Sequence, residues 1–153
     1  MDQALGVDYE PVSENDFATV FAFYAAATMP EMAQAASGNL QEAREKLQAT
    51  YDPIATRFIL VGGERVGIET SYPEGEDLWR LAHLHILPEH QRRGIGTRAL
   101  EYVKIEAQIA QRHLIVNAPR DSHANQFLKF QGFVPCGHSV DEIQYRWDVE
   151  KFE

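Results

Sequence analysis

The spacing of the apolar residues predicts helices in the first third of the chain. A weakly alternating stretch comes first and predicts a strand at Gly6–Pro11. Ser13, with Asp16 three residues later, is typical of a helix start, and we expect this helix to end near Pro30. A second helix is predicted over Asn39–Thr50, with its first residue as the N-cap.

After residue 55 the pattern changes to short β-type runs, separated by turns and by two further helices. Gly62–Gly63 is typical of a hairpin turn, and the cluster Tyr72–Asp77 indicates another turn. A long helix is predicted from Gly94 to about Gln111, and a shorter one over Ser122–Gln131, introduced by Asp121. The long helix is predicted to bury the face formed by Ile95, Ala99, Tyr102, Ile105 and Ile109. The strands are predicted at Thr56–Val61, Arg65–Thr70, Leu78–Leu87, Leu114–Asn117, Phe133–Cys136 and Ile143–Val149.

The order of these elements predicts an α+β fold. Seven strands and four helices in the order β-α-α-β-β-β-α-β-α-β-β combine hairpins with one β-α-β unit. We therefore expect a mixed, mostly antiparallel sheet flanked by the helices. No repeat, low-complexity stretch or linker divides the 153 residues, so we expect a single domain over residues 1–153, with its core at about residues 7–149.

Composition excludes several classes of protein. The one cysteine, Cys136, cannot form an internal disulfide or a cysteine-cluster metal site, and we expect it to fill the core after Pro135. The longest nearly apolar run, Ala18–Met29, is too short to cross a bilayer. The N-terminus lacks the basic and apolar regions of a secretory signal. We therefore expect a cytoplasmic protein that does not bind membranes.

The net charge of −9 argues against a protein that binds nucleic acid. The charge is nevertheless unevenly distributed, because the segment from Arg80 to Lys129 carries eight basic and four acidic residues. This segment suits a polyanionic ligand, whereas the acidic remainder suits a cation. The acidic excess could equally serve solubility alone.

Candidate binding chemistry concentrates where the longest strand meets the longest helix, in residues 88–97 (PEHQRRGIGT). A helix N-terminus leaves about four backbone N–H groups unpaired, with partial positive charge. Glycine at 94 and 96 removes the side chains that would keep a phosphate away from them. Arg92 and Arg93 add two guanidinium groups. Such a loop is suited to hold a pyrophosphate.

Residues 91–96 (QRRGIG) resemble the acetyl-CoA-binding motif of the GNAT N-acetyltransferase superfamily, whose pattern is Q/R-x-x-G-x-G/A. The preceding Ile86–Glu89 is similar to the end of that family's fourth strand, and residues 124–133 resemble its A-x-x-F-Y-x-x-x-G-F segment. The element order also matches, so the resemblance covers about residues 7–149. It implies a GNAT-like fold and an acyl-CoA-dependent N-acyltransferase that moves acetyl from acetyl-CoA to a primary amine by direct attack.

The resemblance also implies a role for each part of the segment. Backbone N–H groups of residues 92–97 bind the pyrophosphate of CoA, the strand edge Leu84–Ile86 pairs with the pantetheine arm, and an N–H near Ile86 stabilises the oxyanion. The implied cofactor-binding residues are Leu84, His85, Ile86, Gln91, Arg92, Arg93, Gly94, Ile95, Gly96, Thr97 and Asp121. The implied acceptor is a small-molecule or peptide amine. Relatives often dimerise, so a homodimer is one of the open assembly states.

The sequence departs from the family at the catalytic residues. Leu128 stands where the family often has the tyrosine that protonates the departing thiolate. Tyr145, His123 or water could replace it, or the thiolate could leave unaided. A base is needed because a primary amine is protonated at neutral pH, and the candidates are Glu69 and His83.

Two histidines and an arginine in the longest predicted strand leave further roles open. His83 and His85 are two apart and share one face, where they could relay a proton or pack within the sheet. Together with His90 they could also bind a metal, but no acidic or cysteine partner lies at a diagnostic spacing, so no metal is expected. Arg80 occupies the position of the glutamate base of some relatives and could bind a substrate carboxylate.

Two other functions compete with the transferase. Gly94, Gly96 and Ala99 satisfy the dinucleotide fingerprint G-x-G-x-x-G/A. That fingerprint normally follows the first strand of a domain, whereas about ninety residues precede it here. It also requires an acidic residue about twenty positions later, where this chain has Asn117 and Ala118. A protein of the GNAT fold could also bind acyl-CoA as a sensor or partner module and transfer nothing. The missing tyrosine slightly favours the sensor, and release of free thiol with a panel of amines would distinguish the two.

Overall fold

The structure, a computed structural model, describes residues 6–28 and 38–152, with the backbone alone for 38 and 39. Seven strands form within these residues: β1 (Asp8–Pro11), β2 (Thr56–Val61), β3 (Glu64–Glu74), β4 (Leu78–Ile86), β5 (His113–Pro119), β6 (Val134–His138) and β7 (Glu142–Trp147). The described α-helices are α1 (Phe17–Thr28), α2 (Gly38–Thr50), α3 (Ile95–Ala110) and α4 (Ala124–Phe130). Short 3-10 helices at Glu14–Asp16 and Pro88–His90 precede α1 and α3. The predicted α+β class and number of strands are confirmed.

The strands form one mixed sheet in the order β1-β2-β3-β4-β5-β7-β6. β1 and β2, β2 and β3, β5 and β7, and β6 and β7 pair antiparallel. β4 and β5 pair parallel, as the predicted β-α-β unit requires, because parallel neighbours need a crossover connection. α3 supplies that connection.

The chain folds into two compact units, one of residues up to 70 together with 83–99, the other of 71–82 together with 100–153. In the first unit, Ile59 and Val66 pack against Ile95 of α3, while Phe58 packs on the α1 side with Val20. In the second unit the large, fully buried side chains are those of Leu100, Val103, Leu114, Ile115 and Tyr145. Each unit therefore has buried apolar residues from both strands and helices.

The start of α1 follows the sequence pattern. The backbone N–H of Ser13 donates to the carboxylate of Asp16 at 2.9 Å, as in a capping box. The described part of α1 extends to Thr28, and the predicted end near Pro30 lies outside the described residues. The side chain of Asn39, predicted as an N-cap, also lies outside them.

The predicted buried face of α3 is wrong for three of its five residues. Ile95 and Ala99 are buried, but Tyr102, Ile105 and Ile109 are 38%, 53% and 73% exposed. The buried stripe continues instead through Leu100, Val103 and Ala107. Positions 95, 99, 103 and 107 are four residues apart and form one stripe, in which small alanines occupy two of the four positions.

Two further expectations about strands are corrected. The turn predicted at Tyr72–Asp77 is shorter, because β3 continues to Glu74 and the chain reverses around Gly75, whose φ is 64°. Cys136, expected in the core, is exposed. The strand pairing explains this, since the register between β6 and β7 shifts around Cys136 and leaves it as the extra residue of a bulge.

No helix among the described residues is both long enough and apolar enough to span a membrane.

Candidate functional site

The loop between β4 and α3 has backbone N–H groups that are available to a ligand. Arg92 and Gly94 have φ angles of 64° and 82°, in the left-handed region that shapes anion-binding backbone concavities. The N–H of Arg98 donates to the carbonyl oxygen of Gly94 at 3.0 Å, which closes the first turn of the helix. Across the described chain, no backbone–backbone hydrogen bond uses the N–H groups of residues 92–96. At the positive end of the α3 dipole, these donors are suited to an anion.

Three side-chain contacts fix the loop from within the first unit. Gln91 Nε2 donates to the carbonyl oxygen of Ile86 at 2.9 Å, which ties the loop to the end of β4. His90 Nε2 lies 3.3 Å from a carboxylate oxygen of Glu64, the first residue of β3. The other ring nitrogen of His90, Nδ1, lies 2.9 Å from Arg93 Nη1. The loop is therefore held by side chains while its backbone donors remain available.

β3 and β4 approach closely just before this loop. A Cβ atom added at Gly67 would lie 2.4 Å from the carbonyl oxygen of His85, so no other residue fits here without movement. The N–H of Leu87 donates to the carbonyl oxygen of Val66 at 2.8 Å. Leu84 and Ile86, two of the predicted cofactor residues, are partly buried against the apolar cluster that includes Ile95. The side chains of these two residues are therefore occupied by packing, and the binding role of their backbone stays a prediction.

His83 and His85 face α1, on the side of β4 opposite Leu84. His83 Nδ1 and His85 Nε2 are 3.2 Å apart, and both rings make edge contacts with Tyr24. Burial lowers the pKa of His83, and burial together with the charge of His83 lowers the pKa of His85 to about 3. Both imidazoles are therefore neutral at neutral pH. In the part of the chain that the structure describes, no group of three or more His, Cys, Asp or Glu side chains could hold a metal ion.

Glu69 is fully buried in β3 and forms an ion pair. Arg57 on the paired strand β2 lies directly opposite, with Nη2 3.1 Å from one carboxylate oxygen. The Arg57 guanidinium also stacks over the ring of Tyr9 at 3.6 Å. The structure thus gives this candidate base a cationic partner inside the sheet, and its catalytic role stays a prediction.

Tyr145 belongs to the second unit, where its side chain is completely buried on β7. Its hydroxyl donates to Asn125 Oδ1 of α4 at 2.7 Å. Leu128, at the position of the family tyrosine, is also buried. The phenolic proton of Tyr145 is engaged in a structural hydrogen bond, and its role as an acid stays a prediction.

Asp121 does not cap α4. It lies in a turn with a φ of 63°, and the residue at the N-cap position is His123, which makes no side-chain capping bond. The turn is held instead by Asn125 and Ser122, which both donate to the carbonyl oxygen of Pro119. The capping part of the prediction is therefore wrong, and the contact of Asp121 with CoA stays a prediction.

Arg80 is already paired with a carboxylate of the same chain. Its Nε and Nη2 bind the two carboxylate oxygens of Glu74 at 2.6 and 3.2 Å, and Nη1 donates to Asn117 Oδ1. Asn117 in turn donates to Glu142 on β7. A substrate carboxylate at Arg80 would have to displace Glu74.

Sequence reasoning missed the residues that hold the candidate groups in place, namely Arg57, Glu64, His90 and Asn125. The last has a signal in retrospect, since an amide near a helix start is typical of turn-stabilising bonds. The pairing of Arg57 with Glu69 depends on strand register, and that of His90 with Glu64 depends on the β3–β4 geometry.

Comparisons with known proteins agree with this arrangement. A family model described as an acetyltransferase (GNAT) domain matches residues 55–135, more than half of the chain. A search of curated proteins found no match. Similar solved structures are numerous. One is the PaiA N-acetyltransferase of Thermoplasma acidophilum in complex with coenzyme A, at 14% identity and a TM-score of 0.74, covering 95% of this chain and 100% of that one.

Two further structures share the fold over nearly their whole lengths. The ribosomal-protein-S18-alanine N-acetyltransferase of Escherichia coli is 12% identical, with a TM-score of 0.72 and 97% of each chain covered. A GNAT family acetyltransferase of Elizabethkingia anophelis with acetyl-CoA bound is 13% identical, with a TM-score of 0.68, covering 94% of this chain and 98% of that one. At these identities the structures show a shared fold.

The sheet order, the parallel β4–β5 pair joined by α3 and the loop between β4 and α3 define the GNAT class of acetyltransferase folds. With the family model covering more than half of its length, the chain belongs to the GNAT acetyltransferase family.

Proposed function

We propose that this protein transfers acetyl from acetyl-CoA to a primary amine by direct attack of the amine on the thioester. The observation that carries the proposal is the loop before α3, where the backbone N–H groups of residues 92–96 make no backbone hydrogen bond within the described chain. Family membership supplies the class of reaction. The loop geometry therefore supports binding of the anionic cofactor, and family membership supports acetyl transfer as the reaction.

The loop residues fit the pyrophosphate of CoA. Its donors are backbone N–H groups with a left-handed turn at Arg92 and Gly94, and the exposed side chains of Arg92 and Arg93 add positive charge. The absence of a side chain at Gly94 leaves open space, since no atom lies within 4 Å of an added Cβ. Residues 91–97 are the proposed binding residues, and Gln91 contributes by fixing the loop to the end of β4.

The end of β4 is the proposed site of the thioester and pantetheine arm. The side chains of Leu84 and Ile86 are packed inward, so their backbone would pair with an extended amide chain as in β-strand addition. A backbone N–H near Ile86 would stabilise the negative charge that develops on the carbonyl oxygen.

His83 is the better-placed base of the two candidates. Burial lowers the pKa of His83 and keeps its imidazole neutral, so a ring nitrogen can accept the proton that the substrate ammonium loses before the amine attacks, and the lowered pKa makes it a weaker base than a free imidazole. The adjacent His85 is also neutral and in contact, so a proton could pass between the two rings. Glu69 remains the alternative, although its carboxylate is already paired with Arg57 inside the sheet.

We expect little or no acid assistance to the departing thiolate from Leu128 or Tyr145. Leu128 has no proton to give, and the hydroxyl of Tyr145 already donates to Asn125. A thiol with a pKa of about 8.5 leaves as an anion more readily than an alcohol does. Acid catalysis is typically worth about 10²–10⁴ in rate, so its absence slows the reaction without abolishing it.

Calorimetric titration with CoA, followed by a thiol-release screen of acetyl-CoA against primary amines, tests the proposal. We expect CoA to bind and at least one amine to release thiol. Gly94→Asp should weaken CoA binding by more than about 100-fold, because its carboxylate opposes the phosphates. Gly94→Asn is the matched control, since asparagine tolerates the same φ without charge. An affinity of Gly94→Asp equal to that of the wild type would refute the placement of the phosphates.

A second function, supported by the same loop, is binding of acyl-CoA without transfer. It is favoured by the buried Leu128 at the position of the family tyrosine and by the internal hydrogen bond of Tyr145. CoA binding with no thiol release on any amine of the panel would select this function.

A further inference from the structure

Glu64, His90 and Arg93 form a chain of contacts at the loop between β4 and α3, and all three residues lie in the first unit. Glu64 is the first residue of β3, His90 ends the 3-10 helix, and Arg93 lies in the loop itself. One carboxylate oxygen of Glu64 is 3.3 Å from His90 Nε2, and Arg93 Nη1 is 2.9 Å from His90 Nδ1. The side chain of His90 is 12% exposed, whereas its two contact partners, Glu64 and Arg93, are exposed.

The chemistry of these groups fixes the direction of the hydrogen bond between Arg93 and His90. A guanidinium has donors only, so Arg93 donates and His90 Nδ1 accepts. The neutral imidazole then carries its proton on Nε2, the ring nitrogen that faces the carboxylate of Glu64 at 3.3 Å. Each neighbour therefore favours the same tautomer of His90.

We propose that His90 is a positioning residue that holds the Arg93 guanidinium in place for the phosphates of CoA. The contact to His90 uses one of the five N–H donors of the guanidinium, and the others are left for an anion. A long arginine side chain held before binding loses less conformational entropy on binding. This inference rests on the proposed function of the loop.

Calorimetric titration of the purified full-length protein with CoA tests the inference through a double-mutant cycle. Arg93→Ala is expected to weaken binding by about tenfold or more, as for loss of a charge-assisted hydrogen bond. His90→Ala should weaken it by about fivefold, and the double variant should bind no more weakly than Arg93→Ala within about twofold. Effects that multiply in the double variant would overturn the inference.

Two conservative variants separate positioning from a general loss of structure. His90→Asn places an accepting oxygen close to where Nδ1 lies and should restore most of the affinity. His90→Gln reaches toward Glu64 but lacks the Nδ1 acceptor, so it should behave like His90→Ala. Glu89→Ala, an exposed neighbour in the same 3-10 helix, is the control and should bind CoA as the wild type does. Equal affinities of His90→Asn and His90→Gln would contradict the role of Nδ1.

Steady-state kinetics with an amine from the screen provide an independent readout. His90→Ala should raise the KM for acetyl-CoA about fivefold, with kcat and the KM for the amine within about twofold of wild type. A fall in kcat without a change in KM would overturn the inference. Failure of the proposed function has a different signature, because the wild-type protein itself would then either not bind CoA or bind it without releasing thiol on any amine of the panel.

Discussion

The loop before α3 and the adjoining parts of β3 and β4, residues 64–70 and 83–86, lie in the same unit, yet their polar groups are used in opposite ways. In the loop, the backbone donors of residues 92–96 make no backbone hydrogen bond within the described chain, and the side chains hold one another in place. In the strands, Glu69 is paired with Arg57, and His83 with His85. Open donors are typical of a binding surface, whereas internally paired groups first serve stability.

Because of this difference, the two parts of the proposed reaction, cofactor binding and proton transfer, are not supported equally. The proposed cofactor binding would use groups that the fold leaves available. Proton transfer has to come from groups that already have partners, and a buried group with a partner can be structural, catalytic or both. Substitutions that leave shape unchanged but remove charge or a proton distinguish these roles.

The largest effect is expected for Glu69→Gln. Removing one charge of a buried ion pair leaves the Arg57 guanidinium uncompensated, and we expect a loss of about 3 kcal/mol in the free energy of unfolding. Denaturant titration measures this, and the double variant Glu69→Leu with Arg57→Met should recover part of it. We expect kcat of folded Glu69→Gln to stay within a few-fold of wild type. A drop of about 100-fold or more would make Glu69 the base and overturn the preference for His83.

A smaller loss of stability is expected for Gly67→Ala, which tests the close approach of the strands themselves. The added methyl would lie 2.4 Å from the carbonyl oxygen of His85, so β3 or β4 must shift. We expect a loss of about 2 kcal/mol in denaturant titration. Gly6→Ala is the control, because no atom lies within 4 Å of its Cβ position and its φ is ordinary. Equal stability of the two variants would show that the strands are not in contact at Gly67.

The buried histidines predict an acid-sensitive fold. The pKa of His85 is about 3 in the folded state and 6.5 in the unfolded state. Between these two pH values, His85 therefore binds a proton more tightly in the unfolded chain than in the folded one. Stability from this group is therefore full above pH 6.5 and falls as the pH drops from 6.5 toward 3, by up to about 1.4 kcal/mol per pH unit. Denaturant titrations at pH 7, 6 and 5 measure the slope.

His85→Gln should flatten that slope. An equal slope in wild type and His85→Gln would mean that the imidazole is accessible to protons in the folded protein. Carboxylates with a lowered pKa, such as Glu74 beside Arg80, lose their contribution to stability only as the pH falls below their unfolded value of 4.5, which is outside the pH range of these titrations.

The smallest effect is expected for Tyr145→Phe. Loss of the hydroxyl leaves Asn125 Oδ1 without this donor, and we expect a loss of about 1 kcal/mol in thermal or denaturant unfolding. The rate of thiol release should change by less than about threefold if the hydroxyl is structural. A fall of about 100-fold with the fold intact would assign it the role of the missing acid.

The candidate binding loop, residues 88–97, could be predicted from sequence because it depends on local features. The Gly-x-Gly spacing, the arginine pair and the junction of strand with helix lie within ten consecutive residues, so no knowledge of tertiary structure is needed. The succession of strands and helices along the chain followed in the same way from runs bounded by turn residues.

The partners of the candidate catalytic residues could not be predicted, because they depend on strand register. Counting back from the hairpin at Gly62–Gly63 places Arg57 opposite Ile68, but a bulge at Ile59/Leu60 shifts the pairing so that Arg57 lies opposite Glu69. A shift of one residue reverses which face a side chain occupies. The bulge has no clear signature in the sequence.

The wrong prediction of the buried face of α3 has a different cause. Large apolar residues at Tyr102, Ile105 and Ile109 gave a plausible helical face, but burial is decided by where the helix axis lies on the strands. Small residues such as Ala99 and Ala107 allow close packing and therefore occupy the buried stripe. Hydrophobicity by itself does not distinguish these two faces.

A crystal structure of the wild-type protein grown with CoA tests the central claim most directly. We predict pyrophosphate density within about 2.7–3.2 Å of backbone nitrogens among residues 92–97. Ordered CoA bound at any other surface, or its absence at saturating concentration, would contradict the claim.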